Sequence, residues 1–171
     1  RERLALLRNA VQEAGIEIEL DCAAEYYLDE GLLNSLENDE ELLTFGDNYL
    51  LFETSFLNEP LNLREAIFKM RSKGYKPVLA HPERYTYFYG KFNELASLWQ
   101  QGVLFQPNLN SLTGYYSPVA KTVAEKLIDN GMVDFLGSDV HSLKHTDSLG
   151  RVLSCKYLPK ALSLAIRNSQ L

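Results

Sequence analysis

Cysteine is scarce: Cys22 and Cys155 are the only two in 171 residues. They are too far apart for a C-x-x-C pair, and a reduced, cytoplasmic setting is the simplest expectation. Neither opens a C-x5-R motif, because Leu28 and Ala161 stand six residues on. That excludes a cysteine-phosphatase mechanism. A G-x-S-x-G elbow, a P-loop and a G-x-G-x-x-G turn are also missing, and with them the chemistries they serve. No apolar run approaches the roughly 20 residues that span a bilayer, so membrane insertion is not expected. Positive charge is short as well. A net charge of −6 and a pI near 5.1 argue against nucleic acid or anionic membrane as the main partner, since both need a basic face.

What is present describes an ordinary globular protein: 46% hydrophobic and 11% aromatic residues, with length for one domain spanning residues 1–171. Arg1-Glu2-Arg3 leads straight into Leu4, Leu7, Val11 and Ala14, an apolar stripe at helical spacing with no capping residue before it. The chain therefore reads as starting inside a helix, with an N-terminal segment removed or left out. One pattern then recurs: amphipathic helix, glycine, short apolar strand, polar loop. Strands are expected at 16–20, 48–53, 75–80, 103–106 and 132–136. Helices are expected over 30–36, from an Asn62/Glu65 capping box to Gly74, around Leu95–Trp99, and from the Ser117-Pro118 start to Gly131. In that last helix Val119, Val123, Leu127 and Ile128 form the inner face, and residues 147–171 are expected to be helical with a break at Pro159. Strands alternating with helices imply parallel pairing and an α/β fold. A complete (β/α) barrel takes about 250 residues, so this chain would be a barrel short of its first units or a smaller open sheet.

The chemistry sits just past the strands. Glu25 follows the first, Glu53 ends the second, and His81 ends the third within Ala80-His81-Pro82-Glu83-Arg84-Tyr85. Asp139 and His141 follow the last, in Gly137-Ser138-Asp139-Val140-His141. Residues two apart on extended backbone point the same way, so Asp139 and His141 are expected to converge. Glu25, Glu53 and His81 are spaced 28 residues apart, close to one strand–helix unit each. Carboxylates and imidazoles without thiolates suit Mn, Fe or Zn in a reactive site rather than a structural zinc cage. A pair of such ions activates water and clamps phosphoryl oxygens. Arg84, in the same loop as His81, has the planar fork that grips phosphate.

These two motifs resemble the PHP (polymerase and histidinol phosphatase) family, and within it the bacterial metal-dependent tyrosine-protein phosphatases of capsular and exopolysaccharide operons. The resemblance runs over nearly the whole chain. It implies a distorted (β/α)7 TIM-like barrel, here lacking its first strands, with two to three ions in the complete protein. By motif, Glu25 would bridge metals, Glu53 and His81 would complete the second site, Asp139 would hold the first ion and His141 the third. Arg84 would bind phosphate, with Tyr85, Tyr87, Phe88, Tyr89, Tyr115 and Tyr116 as an aromatic rim for a tyrosyl ring. His81 or His141 would assist proton transfer. The implied substrate is a phosphotyrosine-bearing autokinase.

The sequence departs from the family pattern in three places. Ala23-Ala24 precede Glu25 where relatives often carry a Gly-x pair. Thr146 stands where some relatives carry a second arginine, leaving Lys144, His145 or Arg151 as substitutes. The opening His-x-His motif is not in the chain. Three readings follow: a protein-tyrosine phosphatase, a small-molecule phosphatase of the histidinol-phosphate type, or a non-catalytic regulatory remnant. A homo-oligomer is compatible with each.

Overall fold

The computed structural model describes residues 2–170. Among them the alternating and apolar runs form four strands: β1 (Glu25–Tyr27), β2 (Tyr49–Glu53), β3 (Lys76–Ala80) and β4 (Leu104–Gln106). They pair in sequence order as one parallel sheet. The register sets Glu25 beside Leu51, Phe52 beside Leu79 and Ala80 beside Gln106. Parallel neighbours need a crossover, and the helices supply it. α1 (Glu2–Glu13) precedes the sheet, and the three crossovers are α2 (Glu30–Glu37), α3 (Leu63–Ser72) and α4 (Phe92–Gln100). α5 (Pro118–Asp129), α6 (Leu143–Val152) and α7 (Leu158–Leu162) follow it.

Side-chain alternation along the strands builds two cores. Leu50, Phe52, Leu79 and Phe105 pack against the helices, with Leu63, Met70, Leu95, Leu98 and Leu127. On the other face Tyr49, Val78 and Phe135 form a smaller cluster, with Tyr49 and Phe135 edge to face at 5.0 Å. Each fully buried Leu or Phe contributes about 1.5–3 kcal/mol relative to exposure. Gly74 ends α3 at φ +83, a conformation glycine adopts without strain. Tyr75 N–H then reaches back to the Met70 carbonyl at 3.0 Å. α5 starts as expected, with Ser117 Oγ accepting from Ala120 N–H at 3.0 Å and Pro118 in the first turn.

Several expectations need correction. Residues 16–20 form no strand, because no neighbouring strand offers them a ladder among the described residues. Glu25 therefore opens β1 instead of following a strand. α1 buries none of its residues, and Leu7 is half exposed. Residues 132–136 are not a regular strand either. The Asp134 carboxylate accepts from Phe105 N–H at 3.0 Å and Trp99 Nε1 at 2.9 Å. It takes the place a backbone carbonyl would hold in a ladder. Asp134 and Phe135 N–H both turn to the Phe105 carbonyl at 3.0 Å, and one parallel bridge joins Asn108 to Gly137.

Asn62 starts α3 without a side-chain hydrogen bond, so the expected capping box is not made. Val119 is exposed, and Ala120 and Ala124 take the inner face of α5. The C-terminal helix is two helices, and Pro159 lies in the first turn of α7, where its missing N–H costs nothing. Leu171 lies outside the described residues. No described helix is long and apolar enough to cross a membrane.

Candidate metal centre

β1, β2 and β3 bring three donors together. His81 Nε2 lies 3.3 Å from Glu25 Oε1 and 3.4 Å from Glu53 Oε2. One ligand atom from each of the three residues falls within 4.8 Å of the others. The register explains this: Glu53 pairs with Tyr27, two residues on from Glu25, and His81 follows the end of β3 next door. Backbone turns at His81, whose φ of 35° and ψ of 54° are left-handed. A non-glycine residue rarely adopts this conformation, and strain of this kind gathers at functional sites. The His81 N–H bonds to the Gln106 carbonyl at 2.8 Å, which fixes the turn to β4.

Electrostatics at the triad favour a cation. Burial disfavours a charged imidazole at His81, but the Glu25 and Glu53 carboxylates outweigh it and hold its pKa up at about 9. A buried imidazole nitrogen and two carboxylate oxygens converging on one point are the donor set of a Mn, Fe or Zn site. The residues present therefore fit a divalent metal.

The second group of donors comes from the loop after residue 136. Asp139 is also left-handed, at φ 49°, so it and His141 do not sit on one extended strand as expected. They still meet: His141 Nδ1 lies 3.1 Å from Asp139 Oδ1. Asp139 Oδ2 accepts from Arg84 Nη1 at 2.9 Å and Asn108 Nδ2 at 2.7 Å. His141 N–H donates to His145 Nδ1 at 3.0 Å. Behind this layer Glu83 is fully buried, accepting from Asn108 N–H at 3.0 Å and Ser111 Oγ at 2.5 Å. Burial pushes its carboxyl above the usual range, against those two hydrogen bonds.

All five expected donors, Glu25, Glu53, His81, Asp139 and His141, line one cleft of about 240 Å³ with Arg84, Phe56, Tyr116 and His145. Of the three proposed stand-ins for a second arginine, His145 lines the cleft, and Lys144 and Arg151 do not. A larger groove of about 720 Å³ between α1 and residues 16–21 contains no imidazole.

Tyr85 is a correction. It is fully buried, and its hydroxyl accepts from Thr54 N–H at 3.2 Å and donates to the Ala80 carbonyl at 3.1 Å. It props the His81 turn and cannot reach a bound ligand. Phe88 is buried too. Phe56 and Asn108 were not expected. Both lie just past strands, three residues after Glu53 and two after Gln106. That position was the available signal, but neither residue is a carboxylate or an imidazole.

The strand ends of this parallel α/β sheet thus carry a carboxylate–imidazole cluster able to hold a metal ion, with an arginine beside it. The chain belongs to the capsular polysaccharide synthesis family CpsB/CapC, whose pattern matches residues 1–157. It is 28% identical over 136 residues to the tyrosine-protein phosphatase YwqE of Bacillus subtilis, covering 77% of this chain and 54% of that protein. It is 26% identical over 141 residues to CapC of Staphylococcus aureus, covering 82% and 55%. The chain thus spans about half the length of these curated relatives. A crystal structure from work on YwqE and on CpsB of Streptococcus pneumoniae, described as metal-dependent tyrosine phosphatases, matches it with a TM-score of 0.82. That match has 25% identity and covers 100% of this chain and 71% of the other.

Proposed function

We propose that the protein is a metal-dependent phosphomonoester hydrolase acting on phosphotyrosine, its substrate a tyrosine autokinase of capsular or exopolysaccharide synthesis. The observation that carries this reading is the Glu25–Glu53–His81 donor set in one cleft with Arg84. Glu25 would bridge two ions, Glu53 and His81 would complete one site, and Asp139 and His141 would hold the others. Manganese is the first candidate, with iron or zinc as alternatives. Bound there, such ions supply an activated water and neutralise charge on the phosphoryl group.

The chain's own residues do the rest. Arg84 spends one N–H on Asp139 and presents its other donors to phosphate oxygens, bracing charge as it builds. His81, 4% exposed and wedged between two carboxylates, serves as a ligand and not as a proton donor. Tyr116, half buried, and Tyr115 at the surface supply aromatic faces near the cleft for a tyrosyl ring.

In the same reading the four-stranded sheet is part of a distorted TIM-like barrel, residues 1–171 are one domain of it, and the protein works in the cytoplasm. The test is hydrolysis of p-nitrophenyl phosphate by the full chain with and without manganese. Turnover that needs the metal is expected, and undiminished turnover after chelation would overturn the reading. Comparing a phosphotyrosine peptide with histidinol phosphate then separates a protein substrate from a small one.

A further inference from the structure

Arg84 is held from three directions. The Phe56 ring centre lies 4.5 Å from its guanidinium carbon and the Tyr116 ring centre 4.1 Å. Its Nη1 is tied to Asp139 Oδ2 at 2.9 Å. Both rings are themselves fixed by contacts that involve no ligand. The Phe56 carbonyl accepts from Thr86 N–H and Thr86 Oγ1, each at 2.8 Å, and its ring stacks on buried Tyr85 at 5.7 Å. The Tyr116 hydroxyl accepts from Asn108 Nδ2 at 3.3 Å and lies 3.5 Å from Asp139 Oδ2. One jaw is thus anchored to the loop after β2 and the His81 turn. The other is anchored to Asn108, just past β4.

A free arginine side chain loses rotamer freedom whenever it grips a ligand. A planar guanidinium between two aromatic faces has lost that freedom beforehand and gains cation–π attraction. We propose that Phe56 and Tyr116 are positioning residues that clamp Arg84 with its fork facing the metal cleft. The phosphoryl group would then be bound in one orientation. This rests on the reading of Arg84 as the phosphate-binding residue. The Asp139 contact makes the clamp selective for arginine, because a lysine ammonium cannot stack between the rings and bond Asp139 in one plane.

The test uses the full chain loaded with manganese and inorganic phosphate as the probe, read by titration calorimetry. Metal content by elemental analysis and thermal melting run alongside. Tyr116→Leu and Phe56→Leu are each expected to weaken phosphate binding about tenfold and leave metal content unchanged. Tyr116→Phe keeps the ring face but gives up the hydroxyl's bond from Asn108, and is expected to weaken phosphate binding less than Tyr116→Leu does. With p-nitrophenyl phosphate, the two leucine variants should raise KM more than they lower kcat.

Leucine variants that bind phosphate like the parent, while Arg84→Ala binds it weakly, overturn the clamp and leave Arg84's role standing. An Arg84→Ala chain that binds phosphate normally overturns both. The clamp can also be read without any substitution. The Arg84 Nε–H signal of the parent chain should be as rigid by nitrogen relaxation as the surrounding backbone. A freely averaging signal overturns the proposal even if the leucine variants do not fold.

Discussion

Glu25, Glu53 and His81 hang from hydrogen-bonded strands, whereas Asp139 and His141 hang from a loop with no ladder of its own. The first group is placed by backbone register, and its three ligand atoms already lie within 4.8 Å of one another. The second group is placed by side chains. Arg84, Asn108 and His145 pin Asp139 and His141 through single hydrogen bonds. Exposure separates the two imidazoles, with the His81 side chain 4% exposed and that of His141 71%. It does not separate the carboxylates, since Asp139 at 11% is less exposed than Glu25 at 32% or Glu53 at 29%. A strand-built half is stiff at the outset, while a loop-built half is only as stiff as the residues behind it. The two halves should therefore fail differently.

The largest effect is expected from His81→Ala, which removes the only nitrogen from the triad and leaves two carboxylates facing each other. Manganese-dependent hydrolysis of p-nitrophenyl phosphate should fall by more than about a hundredfold, beyond what loss of a supporting residue costs. Asn108→Ala touches no expected ligand of the triad. It removes one of the hydrogen bonds to Asp139 Oδ2, which keeps its bond from Arg84 Nη1, and should cost about ten- to a hundredfold, with binding at the triad retained. Equal losses in the two variants, in both turnover and metal content, would erase the distinction between the halves.

A smaller effect concerns protons. In the metal-free chain the two glutamates hold the His81 pKa up at about 9, above the ordinary 6.5. A raised pKa means that the folded state holds the proton more tightly. The stability this adds is fully present below about pH 6.5 and is lost as pH rises through about 9. Loading metal at neutral pH must displace that proton, since a ligating imidazole is neutral. Nitrogen-15 NMR of the metal-free chain should show His81 titrating near 9. A His81 midpoint near 6.5 would mean that the triad is not assembled before metal arrives.

The same division governs what the sequence reveals. β2, β3 and β4 were legible because each is an apolar run ending in, or directly followed by, a polar residue, and parallel pairing then puts their ends together. That logic was enough to gather Glu53 and His81. It misread Glu25, which opens a three-residue strand. The intended first strand at 16–20 has the right alternation but no neighbour to pair with among the described residues. The 132–136 segment was misread for a different reason. Its pattern is strand-like, but Asp134 satisfies Phe105 N–H with a side chain, and periodicity is blind to that substitution.

Tyr85 and Tyr116 show the same limit. Both follow short polar stretches and both look like rim residues. Burial separates them, and burial is set by long-range packing against Thr54 and Ala80 in one case and Arg84 in the other. Asn108 was invisible because an amide is neither a carboxylate nor an imidazole, the groups gathered at strand ends. Its role arises only when the loop after residue 136 folds over it.

The smallest effect is expected at Gly137, where the loop-built half leaves the sheet. A Cβ added there would meet Gln106 Nε2 at 2.7 Å and Gln106 Cδ at 3.0 Å. The obstacle is the end of a flexible side chain, so Gln106 can swing away at a cost of about 1 kcal/mol. The backbone consequence matters more. Gly137 N–H and carbonyl clasp the Pro107 carbonyl at 3.1 Å and Leu109 N–H at 2.8 Å, and Asn108 lies between those two partners. Any shift of Gly137 therefore passes to the Asn108–Asp139 contact before it reaches β3. Gly137→Ala should lower the melting temperature by only a few degrees and, on the proposed assignment, weaken metal binding at Asp139 while the Glu25–Glu53–His81 cluster binds as before. A variant that loses metal from both halves together would show that the strand-built site depends on the loop after all.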